Sequence, residues 1–104
     1  MSSAHGVVVR SSPNKLQATF IADGTEYIYN MNVNVSLPPF NTKSAKLVYQ
    51  SPDELASSHN FQGRIGPHTL QLTLANGVVI EGQLEMPGVQ PAIAADGFGV
   101  WLSN

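Results

Sequence analysis

Leu16-Gln17-Ala18-Thr19-Phe20-Ile21-Ala22-Asp23-Gly24-Thr25-Glu26-Tyr27-Ile28-Tyr29-Asn30-Met31-Asn32-Val33-Asn34-Val35-Ser36-Leu37 is the stretch from which the fold is read. From Thr25 to Leu37, the residues Tyr27, Tyr29, Met31, Val33, Val35 and Leu37 fall on one parity. Glu26, Asn30, Asn32, Asn34 and Ser36 fall on the other, and Ile28 is the single exception. Strict alternation of this kind belongs to a half-buried strand. Asp23-Gly24 supplies two residues that tolerate positive φ, the chemistry of a tight hairpin. Opposed residues in a hairpin share a face, so a two-residue loop puts Phe20 against Tyr27, Ala18 against Tyr29 and Leu16 against Met31. All three pairs are apolar, which selects this register. Thirteen residues is long for one strand, so a bend or bulge that lets it serve two sheets is expected before Pro38-Pro39 ends it.

Two more segments carry the same turn signal, Ala75-Asn76-Gly77 and Ala95-Asp96-Gly97. A two-residue loop at Asn76-Gly77 would set Leu72 opposite Glu81 and mix core with solvent. A three-residue loop sets Leu74 against Val78, Leu72 against Ile80 and Leu70 against Gly82, so a type I turn with Gly77 in a left-handed G1 bulge is predicted. For the third segment, Ala92 to Leu102, a hairpin is expected but the pattern does not select its register. Weaker strands are read at Val7–Arg10, Ala45–Gln50 and Asn60–Ile65. Ser51-Pro52-Asp53-Glu54 has an N-cap Ser, Pro at the first helical position and Glu at the third, a capping box that supports a short helical turn over Pro52–Ser57.

Eight to nine short strands in 104 residues predict one all-β domain, residues 1–104, an antiparallel β-sandwich of Greek-key or jelly-roll type, with a flattened Greek-key barrel as the neighbouring alternative. The chain has no cysteine, which excludes disulfides, thiolate metal sites and a thiol nucleophile. The N-terminal residues show neither a basic n-region nor an apolar h-region, so a cytoplasmic location is the default expectation. No apolar run is long enough to span a bilayer, and no basic amphipathic helix is present, so membrane association is not expected.

Charged residues are 12% of the chain, about half the usual globular share of roughly 25%. Ser, Thr, Asn and Gln carry the polarity instead, and the net charge is only −2. Such a surface lacks the repulsion that keeps copies apart, and it suits ligands recognised through neutral hydrogen bonds. Nucleic acid is not expected as a partner: five basic residues are scattered along the chain, and the aromatic strand Gly97-Phe98-Gly99-Val100-Trp101 has no flanking cation.

No catalytic constellation stands out. Glu81 and Glu85 share a parity that faces away from Leu70, Leu72 and Leu74, hence toward solvent. Asp23 and Asp96 are assigned to turns, and Asp53 and Glu54 to the helix start. His5, His59 and His68 show no ligand spacing, and His68 is read as a core-margin residue with a backbone partner. No serine elbow and no phosphate loop is found, so no cofactor and no metal are expected. Two features offer ligand chemistry. One is the amide row Asn30, Asn32 and Asn34, joined across the hairpin by Gln17. The other is Trp101, the sole tryptophan, either a core anchor or a stacking platform. Ile21 and Ile28 also put apolar surface on the side opposite the main core. The leading expectation is therefore a non-catalytic binding or self-assembling module, a homo-oligomer. The alternative is a small glycan-binding, lectin-like protein using the amide row or Trp101. A hydrolase assembled around His59 or His68 is the weaker third. Asn34-Val35-Ser36 also matches a glycosylation sequon, which has meaning only for a secreted chain.

Overall fold

In a computed structural model that describes residues 2–86 and 88–103, and Lys43 by its backbone alone, eight strands carry nearly all the secondary structure. They are β1 (Ser2–Ser12), β2 (Lys15–Ala22), β3 (Thr25–Val33), β4 (Asn41–Tyr49), β5 (Ser58–Ile65), β6 (Thr69–Leu74), β7 (Val79–Gln83) and β8 (Ile93–Ser103). Every neighbouring pair is antiparallel, and the order β1-β2-β3-β8-β5-β6-β7-β4 closes on itself. The architecture is thus a closed barrel, and the expected sandwich is corrected. Closure runs through Ser2–Gly6 of β1 paired with Ala45–Tyr49 of β4.

Two hairpin registers are as the parity argument requires. Phe20 opposes Tyr27, Ala18 opposes Tyr29 and Leu16 opposes Met31, around a turn in which Asp23 and Gly24 both have positive φ. Leu72 opposes Ile80 and Leu70 opposes Gly82. The Leu74 and Gly77 amides donate to the Val78 and Leu74 carbonyls respectively, and Gly77 has φ +92°, as a type I turn with a G1 bulge demands. The capping box is also formed: Ser51 Oγ accepts from the Asp53 amide and Glu54 Oε1 accepts from the Ser51 amide. It supports a single 3₁₀ turn, Pro52–Glu54.

The other expectations change. The stretch Thr25–Leu37 does bend partway, at Asn34 and Val35, but it does not serve two sheets: β3 stops at Val33, and residues 34–40 cross one barrel end. There the Val33 and Leu37 amides donate to the carbonyls of Asn14 and Pro13. The third hairpin does not exist. Asp96-Gly97 lies inside β8, an unbroken strand of 11 residues between β3 and β5. Gly97 is needed there for close approach, because an added Cβ would overlap the Asn32 carbonyl oxygen and crowd the Phe61 ring. Gly6 and Gly63 do the same against the Thr19 and Gln71 carbonyl oxygens. Side-chain-free inward positions let neighbouring backbones lean over one another, which curls the sheet enough to close.

Inside, Phe20, Tyr29, Leu47, Leu72 and Ile80 are wholly buried and interleave with the small inward residues Ala18, Ala45 and Ala95. An eight-stranded barrel has a lumen just wide enough for side chains to fill. Leu37, Phe40, Leu84 and Val89 of the 34–40 and 84–92 connections cover one end, and Leu55 beyond the 3₁₀ turn covers the other. Asn76 Nδ2 ties that turn to the β6–β7 hairpin by donating to the Glu54 carbonyl at 3.0 Å.

Two glycine substitutions separate the roles of turn and close approach. Gly77→Ala meets no neighbouring atom but keeps a positive φ, so it should cost about 1 kcal/mol. Gly97→Ala forces backbone movement between β3 and β8 and should cost at least about 3 kcal/mol. Urea unfolding of the two variants should show this order.

Candidate functional surface

The wall formed by β3 and β8 separates the sequence-derived candidates. Tyr29 pairs with Trp101 and both point inward, whereas the next pair, Asn30 with Val100, points outward. Trp101 is 4% exposed and is therefore a core residue. Its ring lies 4.7 Å from that of Tyr29 at 31°, and the Phe61 ring meets Tyr29 edge-on at 6.3 Å. The Tyr29 hydroxyl donates to the His59 carbonyl at 2.7 Å. Trp101 Nε1, by contrast, is buried without a hydrogen-bond partner among the described residues. Burial pushes the Tyr29 hydroxyl well above the usual tyrosine range, opposed by a hydrogen bond with the Gly99 backbone.

Outside, Gln17 opposes Asn30 as expected, and Asn32 lies between Lys15 and Phe98. All of these side chains are exposed. Within β3 the row comprises Asn30 and Asn32, and Asn34 follows one residue past the strand end. The Asn34 backbone amide donates to the Asp96 carbonyl at 2.9 Å, which sets exposed Asn34 beside Asp96 just past the last β3–β8 pair. The structure brings Gln17, Asn30 and Asn32 together, sets Asn34 beside a different group and places Trp101 on the far side of the wall.

Apolar surface surrounds these amides. Among the described residues the exposed large apolar side chains are Val9, Ile21, Met86, Phe98, Val100 and Leu102, and all but Met86 lie on the outer face of β1, β2 and β8. Ile21 is 62% exposed and Leu102 54%. Half-buried Val7 and Ile28 lie among them: Val7 opposes Thr19, Thr19 opposes Ile28 and Ile28 opposes Leu102. The opposite wall differs in kind. Outward positions of β4, β7, β6 and β5 include Ser44, Lys46, Glu81, Gln83, Gln71, Thr73, Gln62 and Arg64.

Asp96 is the residue that sequence reasoning most clearly misassigned. Asp is a poor strand former, yet Asp96 occupies the middle of β8 and is exposed. Gln62 opposes both Asp96 on β8 and Thr73 on β6, so the three side chains stand in one cross-strand row. With Asn34, Asn60 and Gly97 they line a groove of about 530 Å³ on the barrel exterior. Asn60 and Gln62 were legible only as the outward parity of a strand, and the Asp-Gly turn signal concealed Asp96.

The histidines do not converge on chemistry. His59 Nε2, at the start of β5, lies 2.9 Å from the carbonyl of Ala56 in the preceding connection. His68 is exposed rather than at the core margin: β6 begins only at Thr69, so the inward phase of Leu70 does not extend back to it. Glu81 faces away from Leu70, Leu72 and Leu74, opposite Gln71 and Lys46. Among the described residues no group of three His, Cys, Asp or Glu side chains is placed to hold a metal ion, and no helix is long and apolar enough to cross a membrane. No protein-family model matches the chain, and no curated protein or solved structure proves similar to it.

The Tyr29 environment has a measurable pH signature. A phenol whose folded pKa is raised stabilises the fold fully below its unfolded pKa of about 10, and that contribution is lost as pH rises beyond it. The urea midpoint should fall above about pH 10, and Tyr29→Phe should weaken that fall while costing about 1 kcal/mol at neutral pH through the lost hydroxyl bond. An unchanged alkaline profile in Tyr29→Phe would remove this assignment.

Proposed function

We propose that the protein is a non-catalytic binding domain that self-associates through the outer face of β1, β2, β3 and β8. The carrying observation is the one-sided placement of exposed apolar side chains, with Ile21, Val100 and Leu102 set among Gln17, Asn30 and Thr19. Exposed apolar residues scattered singly need no explanation, but apolar side chains gathered on one wall among neutral polar groups support an interaction surface.

A second copy is the occupant that fits. Barrel closure leaves β2, β3 and β8 paired on both sides, so strand addition at an edge is closed to them and association must run through side chains. A two-fold interface sets a patch against itself, so a charged patch would oppose like charges. Among the described residues this face carries the charges of Lys15, Glu26 and Asp96, all toward its margins, and between them lie apolar groups and amides that donate and accept equally well. The exposed apolar side chains alone present on the order of 400 Å².

Light scattering coupled to size exclusion should give a dimer mass at high micromolar concentration. Leu102→Glu, at an exposed outward position, should weaken dimerisation at least about tenfold, equivalent to about 1.4 kcal/mol, without changing the unfolding midpoint appreciably. A strict monomer in the unmodified protein would sink the proposal.

A further inference from the structure

The structure assigns a second binding site to the β5 side of β8, toward the end of its outer face away from Leu102: we infer that the groove of Asn34, Asn60, Gln62, Thr73 and Asp96 binds a neutral saccharide. This goes beyond self-association and does not depend on it. Three observations carry it.

The first is the placement of Asp96. A carboxylate in mid-strand, facing out from the wall, is unfavourable for the strand and contributes nothing to the lumen. No hairpin turn explains it, because β8 runs straight through Asp96-Gly97. A retained cost of this kind is expected at a site with work to do.

The second is the set of groups around it. Asn34, Asn60 and Gln62 each offer an amide donor and an amide acceptor, Thr73 offers a hydroxyl, and Asp96 offers acceptors alone. Adjacent hydroxyls of a sugar ring present alternating donors and acceptors, and this set answers both. Cross-strand neighbours stand about 5 Å apart, so the Asp96–Gln62–Thr73 row spans a pyranose ring. Among the described residues no cation lines the groove, which disfavours phosphate and sulfate, and its rows of polar side chains disfavour a lipid.

The third is Phe98, exposed and outward on β8, directly opposite Asn60. It stands one strand step from Asp96 on the same face, so an exposed aromatic side chain neighbours the hydrogen-bonding row just outside the groove lining. Sugars present a C–H face as well as hydroxyls, and an aromatic beside polar groups meets both.

Because Trp101 is buried, tryptophan fluorescence is a poor reporter, and backbone amide NMR shifts are the readout of choice. The ¹⁵N-labelled protein would be titrated with maltotriose, cellotriose and chitotriose, and with a trigalacturonate as the anionic control. Each would be taken to roughly 10 mM, enough to detect millimolar binding. The expected result is saturable shifts confined to residues around Asn60–Gln62, Thr73 and Asp96–Phe98 with at least one neutral trisaccharide. Asp96→Asn, which is nearly isosteric and leaves the fold intact, should weaken that binding at least about tenfold. Leu102→Glu should leave it unchanged, so failure of the self-association proposal and failure of this one remain distinguishable. No saturable shift with any neutral trisaccharide, preference for the trigalacturonate, or identical titrations for wild type and Asp96→Asn would each overturn it.

Discussion

Pairing of Ser2–Gly6 with Ala45–Tyr49 joins the first strand to the fourth and turns an eight-stranded sheet into a tube. The other features of the molecule follow from that closure. Once the sheet is a tube, each strand has one face toward a shared lumen and one toward solvent, and the lumen is filled by wholly buried residues such as Phe20, Tyr29, Leu47 and Ile80. Closure also demands curvature. The chain supplies it at Gly6, Gly63 and Gly97, where the absence of a side chain lets a neighbouring carbonyl come close, and at irregularities in β1 near Gly6–Val8 and Arg10–Ser12. Strand curvature and lumen packing are thus two aspects of one constraint.

The same closure explains which parts of the fold were legible in the amino-acid order. Pairing within the β2–β3 and β6–β7 hairpins could be read because bulky apolar residues mark the inner face on both strands, so a one-residue slip would bury Glu81 or expose Leu72. Closure could not be read. Alternation tells which side of a strand is apolar, and that is equally true of a sandwich and of a barrel; the β1–β4 pairing joins segments about forty residues apart with no turn chemistry to announce it. β8 was obscured for a different reason. Its inward positions Ala95, Gly97 and Gly99 are small because Asn32, Phe61 and Tyr29 press against that strand. No bulky inner face appeared until Trp101, and Asp96-Gly97 therefore looked like a turn. Turn chemistry and close-approach chemistry both use glycine, and local sequence does not separate them.

Of the surface, part was readable. Gln17 and Asn30 face each other because the hairpin register puts them there. Their apolar neighbours Val100 and Leu102 come from a strand about seventy residues away, so the composition of the whole face depends on the β3–β8 pairing. Trp101 shows the same limit from the other side. Its burial against Tyr29 depends on which parity of β8 faces inward, and Val100 and Leu102 made both parities look apolar.

A filled lumen directs the search for function outward. Barrels that carry a small ligand do so in an interior that side chains leave partly empty, whereas Tyr29, Phe61 and Trp101 here pack ring against ring across the space between β3, β5 and β8. The exterior is correspondingly differentiated. One wall carries nearly all the exposed apolar side chains and little charge, and the other carries Lys46, Glu81 and Arg64. β8 lies at the border, with Val100 and Leu102 toward one end and Asp96 toward the other. Outward residues of a strand are free of the core's packing demands, so their change of character along β8 is not imposed by the barrel. Two chemistries on one strand, apolar toward Leu102 and carboxylate where amides gather, are what the two proposals, self-association at one end and a polar ligand at the other, rest on.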